Sequence, residues 1–78
     1  MKVYQERVEV EPARGMPRAI HWRGQRYNIV KMLDFWVAEG KWWSGGGERR
    51  NYLLLITDRG TLEIFQARDV WYLSRMYD

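Results

Sequence analysis

Apolar and polar residues alternate with a period of two along most of this chain, and short clusters of Gly, Pro, Asp and Arg interrupt the alternation. From Val3 to Val10, Tyr4, Val8 and Val10 fall on one face and Gln5, Arg7 and Glu9 on the other, the pattern of a half-buried strand. Glu6 breaks that pattern and Val3 sits on the wrong face. Pro12 to Pro17, with Gly15 between, ends the strand. Arg18 to Trp22 resumes the alternation, with Ile20 and Trp22 on one face and Ala19, His21 and Arg23 on the other. Arg23-Gly24-Gln25-Arg26 then reads as a hairpin connection, because a Gly in a short link between two apolar runs supplies the backbone freedom a tight turn needs.

The segment from Tyr27 to Val37 fits two periods. Ile29, Met32, Leu33, Trp36 and Val37 match helical spacing, with Gly40 as a stop. Tyr, Ile, Val, Phe and Trp favour a strand, and a bulge near Lys31 accounts for the slip in alternation. The strand is the reading adopted. A glycine loop runs from Gly40 to Asn51. Tyr52 to Thr57 is an apolar run, Asp58-Arg59-Gly60 a turn, and Thr61 to Phe65 a returning strand with Leu62 and Ile64 facing in. Ala67-Arg68-Asp69 turns again. Val70 to Tyr77 closes the chain, with Trp71, Leu73 and Tyr77 on one face and Arg75 among them. The expectation is a single all-β domain over residues 1–78, with strands at 3–10, 18–22, 26–37, 52–57, 61–66 and 70–77. Such an antiparallel meander closes into a small barrel or a strongly curled sheet, which removes adhesive edges.

Size changes the meaning of the aromatics. A chain of 78 residues buries only roughly 60% of its unfolded surface. With no cysteine it has neither disulfide nor thiolate metal site to support it. Five Trp, five Tyr and two Phe supply large buried area per residue instead. Trp22, Tyr27, Trp36 and Trp71 lie within the alternating runs and are assigned to the core. Trp42 and Trp43 are adjacent, and neighbours in a strand face opposite ways, so one of the two must lie at a surface, as a barrel cap or as a ligand contact. The start of the chain carries no signal-peptide core and no apolar run is long enough to span a membrane, so a cytoplasmic location is expected.

Charge is informative in its distribution. The net value is only +3, but between Pro12 and Leu33 the only charges are Arg14, Arg18, Arg23, Arg26 and Lys31. A second basic pair, Arg49 and Arg50, follows Trp42-Trp43-Ser44-Gly45-Gly46-Gly47-Glu48. Guanidinium groups pair with phosphate or carboxylate and stack on rings, so Arg14, Arg18, Arg23, Arg26, Trp42, Trp43, Arg49 and Arg50 form the candidate binding set. The alternative is that these arginines pair with glutamates on neighbouring strands across a solvated face. Catalytic chemistry has no foothold. His21 is the only histidine and falls on an outward face. Ser44 lacks the Gly-x-Ser-x-Gly elbow, and the three glycines lack the Lys-Ser/Thr of a phosphate loop. Asp34 and Asp58 suit turns and ion pairs. No catalytic residue, cofactor or metal is expected. Glu6 and Arg75 both interrupt apolar faces, and a pair between them would tie the first strand to the last.

Taken together, Trp22-Arg23-Gly24-x-x-Tyr27, Leu33-x-x-Trp36-Val37-x-x-Gly40-x-Trp42-Trp43, an Arg-rich entry to a strand at Tyr52, Gly60-x-Leu62-Glu63-Ile64-Phe65 and Trp71-x-Leu73-x-Arg75-x-Tyr77-Asp78 carry a resemblance. From about Pro17 to Asp78 the chain resembles a small bacterial domain of unknown function, found alone or appended to the C-terminal side of Y-family-like proteins of the error-prone DNA polymerase system. The resemblance implies a cytoplasmic accessory role near DNA replication or damage tolerance, and brings no activity or ligand. The reading is a non-enzymatic binding module with an aromatic-basic surface. Its partner is nucleic acid or a protein of a DNA-polymerase complex. The alternative is a structural, self-associating protein, a homodimer with no nucleic-acid role.

Overall fold

The computed structural model describes residues 2–40 and 48–77. They form six strands, β1 (Lys2–Ala13), β2 (Met16–Trp22), β3 (Gln25–Gly40), β4 (Glu48–Thr57), β5 (Gly60–Ala67) and β6 (Val70–Tyr77). Each strand pairs antiparallel with the next, and β6 pairs with β1 to close a barrel. Among the described residues there is no helix, so the helical reading of 29–39 does not apply. The candidate residues Trp42 and Trp43 lie outside the described residues.

Turn chemistry sets this order. Arg14-Gly15 and Arg23-Gly24 have φ of 51° and 80°, and 49° and 74°. Two central residues with positive φ match the right-handed twist of flanking strands, and glycine adopts that backbone without steric cost. Arg68 and Asp69, with φ of 52° and 65°, do the same without a glycine. At the fourth turn the Thr57 hydroxyl donates to the Gly60 carbonyl at 2.7 Å and accepts the Arg59 N–H at 3.1 Å. These links place the turns at 23–24 and 58–59 at one end of the barrel. The turns at 14–15 and 68–69 lie at the other, where β3 ends and β4 begins.

The core is built from Val8, Ile20, Trp22, Tyr27, Leu53, Leu55, Leu62, Ile64 and Leu73, with Tyr4, Val10, Ile29, Trp71 and Met76 packed against it. Trp22 and Tyr27 are therefore core residues as expected, and Trp71 is a partly buried neighbour of the core. Trp36 is not: its position in β3 pairs with Tyr52, and both rings stand on the outer face. The reason is that β3 carries two irregularities, at Ile29/Lys31 and Met32/Asp34, where the sequence reading has one. The first is the slip expected near Lys31. The second turns the residues after Leu33 to the opposite face, because one inserted residue inverts a period of two.

β6 holds a similar correction. Register passes from Glu63↔Arg75 to Ile64↔Leu73, which leaves Ser74 as an extra residue. Trp71, Leu73 and Met76 consequently serve the core, whereas Arg75 and Tyr77 turn outward beside Glu63. Arg75 does not interrupt an apolar face, and it does not pair with Glu6. Its Nε lies 3.7 Å from the Glu63 carboxylate.

Closure depends on β1 serving two neighbours. Residues from Lys2 to Val8 ladder with β6, and those from Glu9 to Ala13 ladder with β2. β2 follows the second half of β1 away from the barrel wall. Its pairing with β3 runs only from Trp22↔Gln25 to Ala19↔Asn28. Beyond Asn28, β3 pairs with β4 on one side and has no strand on the other among the described residues.

Candidate functional site

The free stretch of β3 carries the largest exposed apolar side chains of the described residues: Val30, Met32, Leu33, Phe35 and Val37, with Met16 on β2 as the sixth. Val30 and Leu33 are the extra residues at the two irregularities, and Val30 is 69% exposed. Phe35 and Val37 pair with Leu53 and Asn51, so by register they belong to the inner face. They remain 55% and 41% exposed because β2, which would cover them, has diverged with β1. An edge strand usually carries charge, proline or a covering loop to prevent association. Here, between residues 29 and 40, only Lys31, Asp34 and Glu39 are charged and there is no proline.

On the opposite face of the same sheet stands a row of rings. Trp36, Tyr52, Phe65 and Tyr72 are cross-strand neighbours on β3, β4, β5 and β6. Trp36 and Tyr52 stack with centroids 5.2 Å apart and planes 2° from parallel. Tyr52 and Phe65 are 5.2 Å apart and tilted, and Phe65 and Tyr72 stack at 5.1 Å. The Arg50 guanidinium lies 4.6 Å from the Phe65 centroid and donates to the Tyr52 hydroxyl at 3.4 Å. Such ring pairs contribute about 0.5–1.5 kcal/mol each beyond their buried area. The interior rings face one another, so the row is open only at its ends. One end is Trp36, on the free edge.

The arginines separate into two groups. At the 23–24 end, Arg23 donates to Glu6 through Nε at 3.2 Å and Nη2 at 2.6 Å, and its guanidinium lies 4.5 Å from the Trp22 ring. Glu6 also accepts the Trp22 indole N–H at 3.2 Å. Arg26 donates twice to Glu11, at 2.7 and 3.2 Å, and once to Asn28. His21, exposed as expected, lies 3.0 Å from Glu11, a hydrogen bond in its Nε2–H tautomer. Cross-strand pairing with glutamate therefore accounts for Arg23 and Arg26. At the other end, Arg14, Arg18, Arg49 and Arg68 are exposed and make no ion pair among the described residues. The turns bearing Arg14 and Arg68 flank one cleft of about 430 Å³, whose lining includes Gly15, Met16, Asp69 and Trp71. The candidate arginines thus do not converge on a single face.

Two features support the scaffold. Asp58 accepts the Asn28 backbone N–H at 2.9 Å and its side-chain amide at 2.7 Å, which clamps the 58–59 turn to β3. Glu63, buried on the outer face, accepts from the Ser74 hydroxyl at 2.8 Å and from Tyr77 at 3.4 Å. Among the described residues no group of three His, Cys, Asp or Glu is placed to hold a metal ion. None forms a helix long and apolar enough to cross a membrane. Sequence reasoning missed Tyr52, Phe65 and Tyr72 as an outer row and Phe35 and Val37 as an open strip. The signal was the long apolar run on both faces of β4 and β5, which exceeds what one core can take up.

The chain belongs to the family described as a domain of unknown function, DUF6504, whose model matches residues 1–78. No curated protein and no solved structure matches it.

The carboxylates give a pH dependence. The Arg23 hydrogen bonds hold Glu6 below its ordinary value of 4.5. The His21 hydrogen bond, with the Arg26 charge, does the same for Glu11, and the Asn28 hydrogen bonds do so for Asp58. Groups depressed in the folded state add stability that is complete above their unfolded values and lost as pH falls through the folded ones. Melting temperature should therefore decline as pH is lowered below 4.5. Glu6→Gln should make that decline shallower and lower the plateau at neutral pH. An acid limb identical in the variant and the parent would show that the Glu6 cluster does not bear on stability.

Proposed function

We propose that this domain is a non-enzymatic binding module whose docking element is the free edge of β3. One observation carries the reading: from Ile29 to Gly40 a strand lacks a neighbour on one side among the described residues, while Met32, Leu33, Phe35 and Val37 are exposed. Unpaired N–H and C=O groups give an incoming extended segment its backbone hydrogen bonds, and the apolar side chains give it selectivity. The non-enzymatic part rests on the sequence, which offers no nucleophile–base pair or phosphate loop.

The test is a selection of peptides from a displayed random library on the folded domain. Enriched peptides should be extended and alternately apolar, and should shift the resonances of residues 34–38. Phe35→Lys should abolish their binding while the circular dichroism spectrum stays unchanged. Peptides that bind the variant equally well would move the docking site elsewhere.

A second reading concerns nucleic acid, and the arginines without ion pairs favour it. Arg14, Arg18, Arg49 and Arg68 lie at the 14–15 end of the barrel, where the described acids include Glu39 and, lining the cleft, Glu9 and Asp69. The likeness to domains appended to Y-family-like polymerases supports a place beside DNA. Binding of this kind is electrostatic, since neutralised phosphates release counterions. Affinity for single-stranded DNA should weaken steeply with salt, and Arg14→Glu with Arg68→Glu should reduce the logarithmic slope by roughly 0.7 for each phosphate no longer neutralised. Arg23→Glu should have a smaller effect, because Arg23 is held by Glu6. Absence of binding at low salt, or a slope that the double variant leaves intact, would overturn this reading.

A further inference from the structure

The strip on β3 is compatible with itself in one register. In a regular antiparallel pair, directly opposed residues point to the same face, so a two-fold axis between two copies must pass through a residue. Five axes lie in the regular part of β3 that precedes Glu39, from Asp34 to Ala38. An axis at Asp34 sets two carboxylates against each other, which is destabilising. An axis at Phe35 sets Asp34 against the Trp36 of the other copy, twice, and draws in the irregularity at Leu33. An axis at Val37 sets Phe35 against Glu39, twice, and one at Ala38 sets Val37 against Glu39, twice.

Within residues 34–38 an axis at Trp36 has none of these conflicts, and it brings Glu39 only toward Leu33, at the irregularity where the regular ladder ends. On the exposed inner-parity face it opposes Phe35 of one copy to Val37 of the other, twice, an aromatic–β-branched pairing that stabilises sheets. On the outer face it opposes Trp36 to Trp36 and Asp34 to Ala38. The ring row of one copy, which ends at Trp36, then runs on into the row of the second. The two terminal rings become interior ones, with a ring on either side.

We infer that the occupant of the β3 edge is a second copy of this chain, paired antiparallel about a two-fold axis at Trp36. The inference rests on the reading of β3 as the docking edge and names its partner. It joins two barrels through one continuous sheet, and it covers Phe35 and Val37, which no segment of the same copy covers among the described residues. Two-fold symmetry with a self-complementary patch is the commonest arrangement among soluble homo-oligomers.

The mass in solution, measured by light scattering and by sedimentation over a range of concentrations, tests the inference. The parent chain should approach twice 9.5 kDa as concentration rises. Phe35→Glu alone and Val37→Lys alone should each remain monomeric with an unchanged circular dichroism spectrum. An equimolar mixture of the two variants should recover the dimer. With the axis at Trp36, the introduced carboxylate faces the introduced ammonium on one side, and the native Val37 and Phe35 face each other on the other. A parent chain that stays monomeric at every concentration would overturn the inference and leave the edge to a different protein, to be read from the selected peptides. A dimer that both variants leave intact would overturn the β3 edge as well. Monomeric variants that fail to recover on mixing would overturn the axis at Trp36.

Discussion

Everything distinctive in this domain follows from one strand having two neighbours. β1 ladders with β6 over its first half and with β2 over its second. That change of partner closes a six-stranded barrel with a short chain and leaves no edge along β6. It also carries β2 away from β3, since β2 must stay with β1. Closure at one seam thus leaves an opening at another, and the opening falls on β3, the longest strand. The buried residues are those that the closed part of the barrel encloses. Phe35 and Val37 have the composition of core residues and the exposure of surface ones because the strand that would enclose them has left.

The outer face shows how a small domain uses apolar residues that its interior cannot hold. Leu53, Leu55, Leu62, Ile64 and Leu73 fill the barrel. Tyr52, Phe65 and Tyr72 alternate with them and cannot enter. They cover one another as a stacked row, sealed by Arg50. The same arrangement recurs at the 23–24 end, where Tyr4, Trp22 and Tyr27 form a ring cluster and Arg23 lies over two of its members. Glu6 holds that arginine in place. Exposed ion pairs of this kind contribute little alone, but here the charge pair fixes a cation over rings.

Much of the fold is legible in the sequence because turn chemistry is local. Gly15, Gly24 and Asp58-Arg59-Gly60 mark three hairpins by residue type, and the period of two between them marks the strands. Facing is legible only up to each irregularity. Alternation with the one slip expected near Lys31 assigns Trp36 to the core, and alternation alone assigns Arg75 and Tyr77 to an inner face. Each lies beyond a one-residue insertion, at Leu33 and at Ser74, and a period-two pattern does not say where it slips. The pairing of Arg23 with Glu6 and of Arg26 with Glu11 is one of two readings that the sequence leaves open, since composition shows the charges but not the register that joins them. The open edge of β3 is not legible at all. It is produced by the divergence of β1 and β2, a tertiary event that leaves no mark in the residues of β3 beyond an excess of apolar side chains.

Amide hydrogen exchange along β3 would show whether its edge is unsatisfied in solution. The amides of residues 34–38 that point toward β4 are held in the barrel ladder, and those that point the other way meet no strand among the described residues. In dilute solution exchange should alternate between slow and fast at successive residues, and it should become slow at both sets as concentration rises and the edge is covered. Uniformly slow exchange through residues 34–38 in dilute solution would mean that the chain itself already pairs that edge, and would contradict the account.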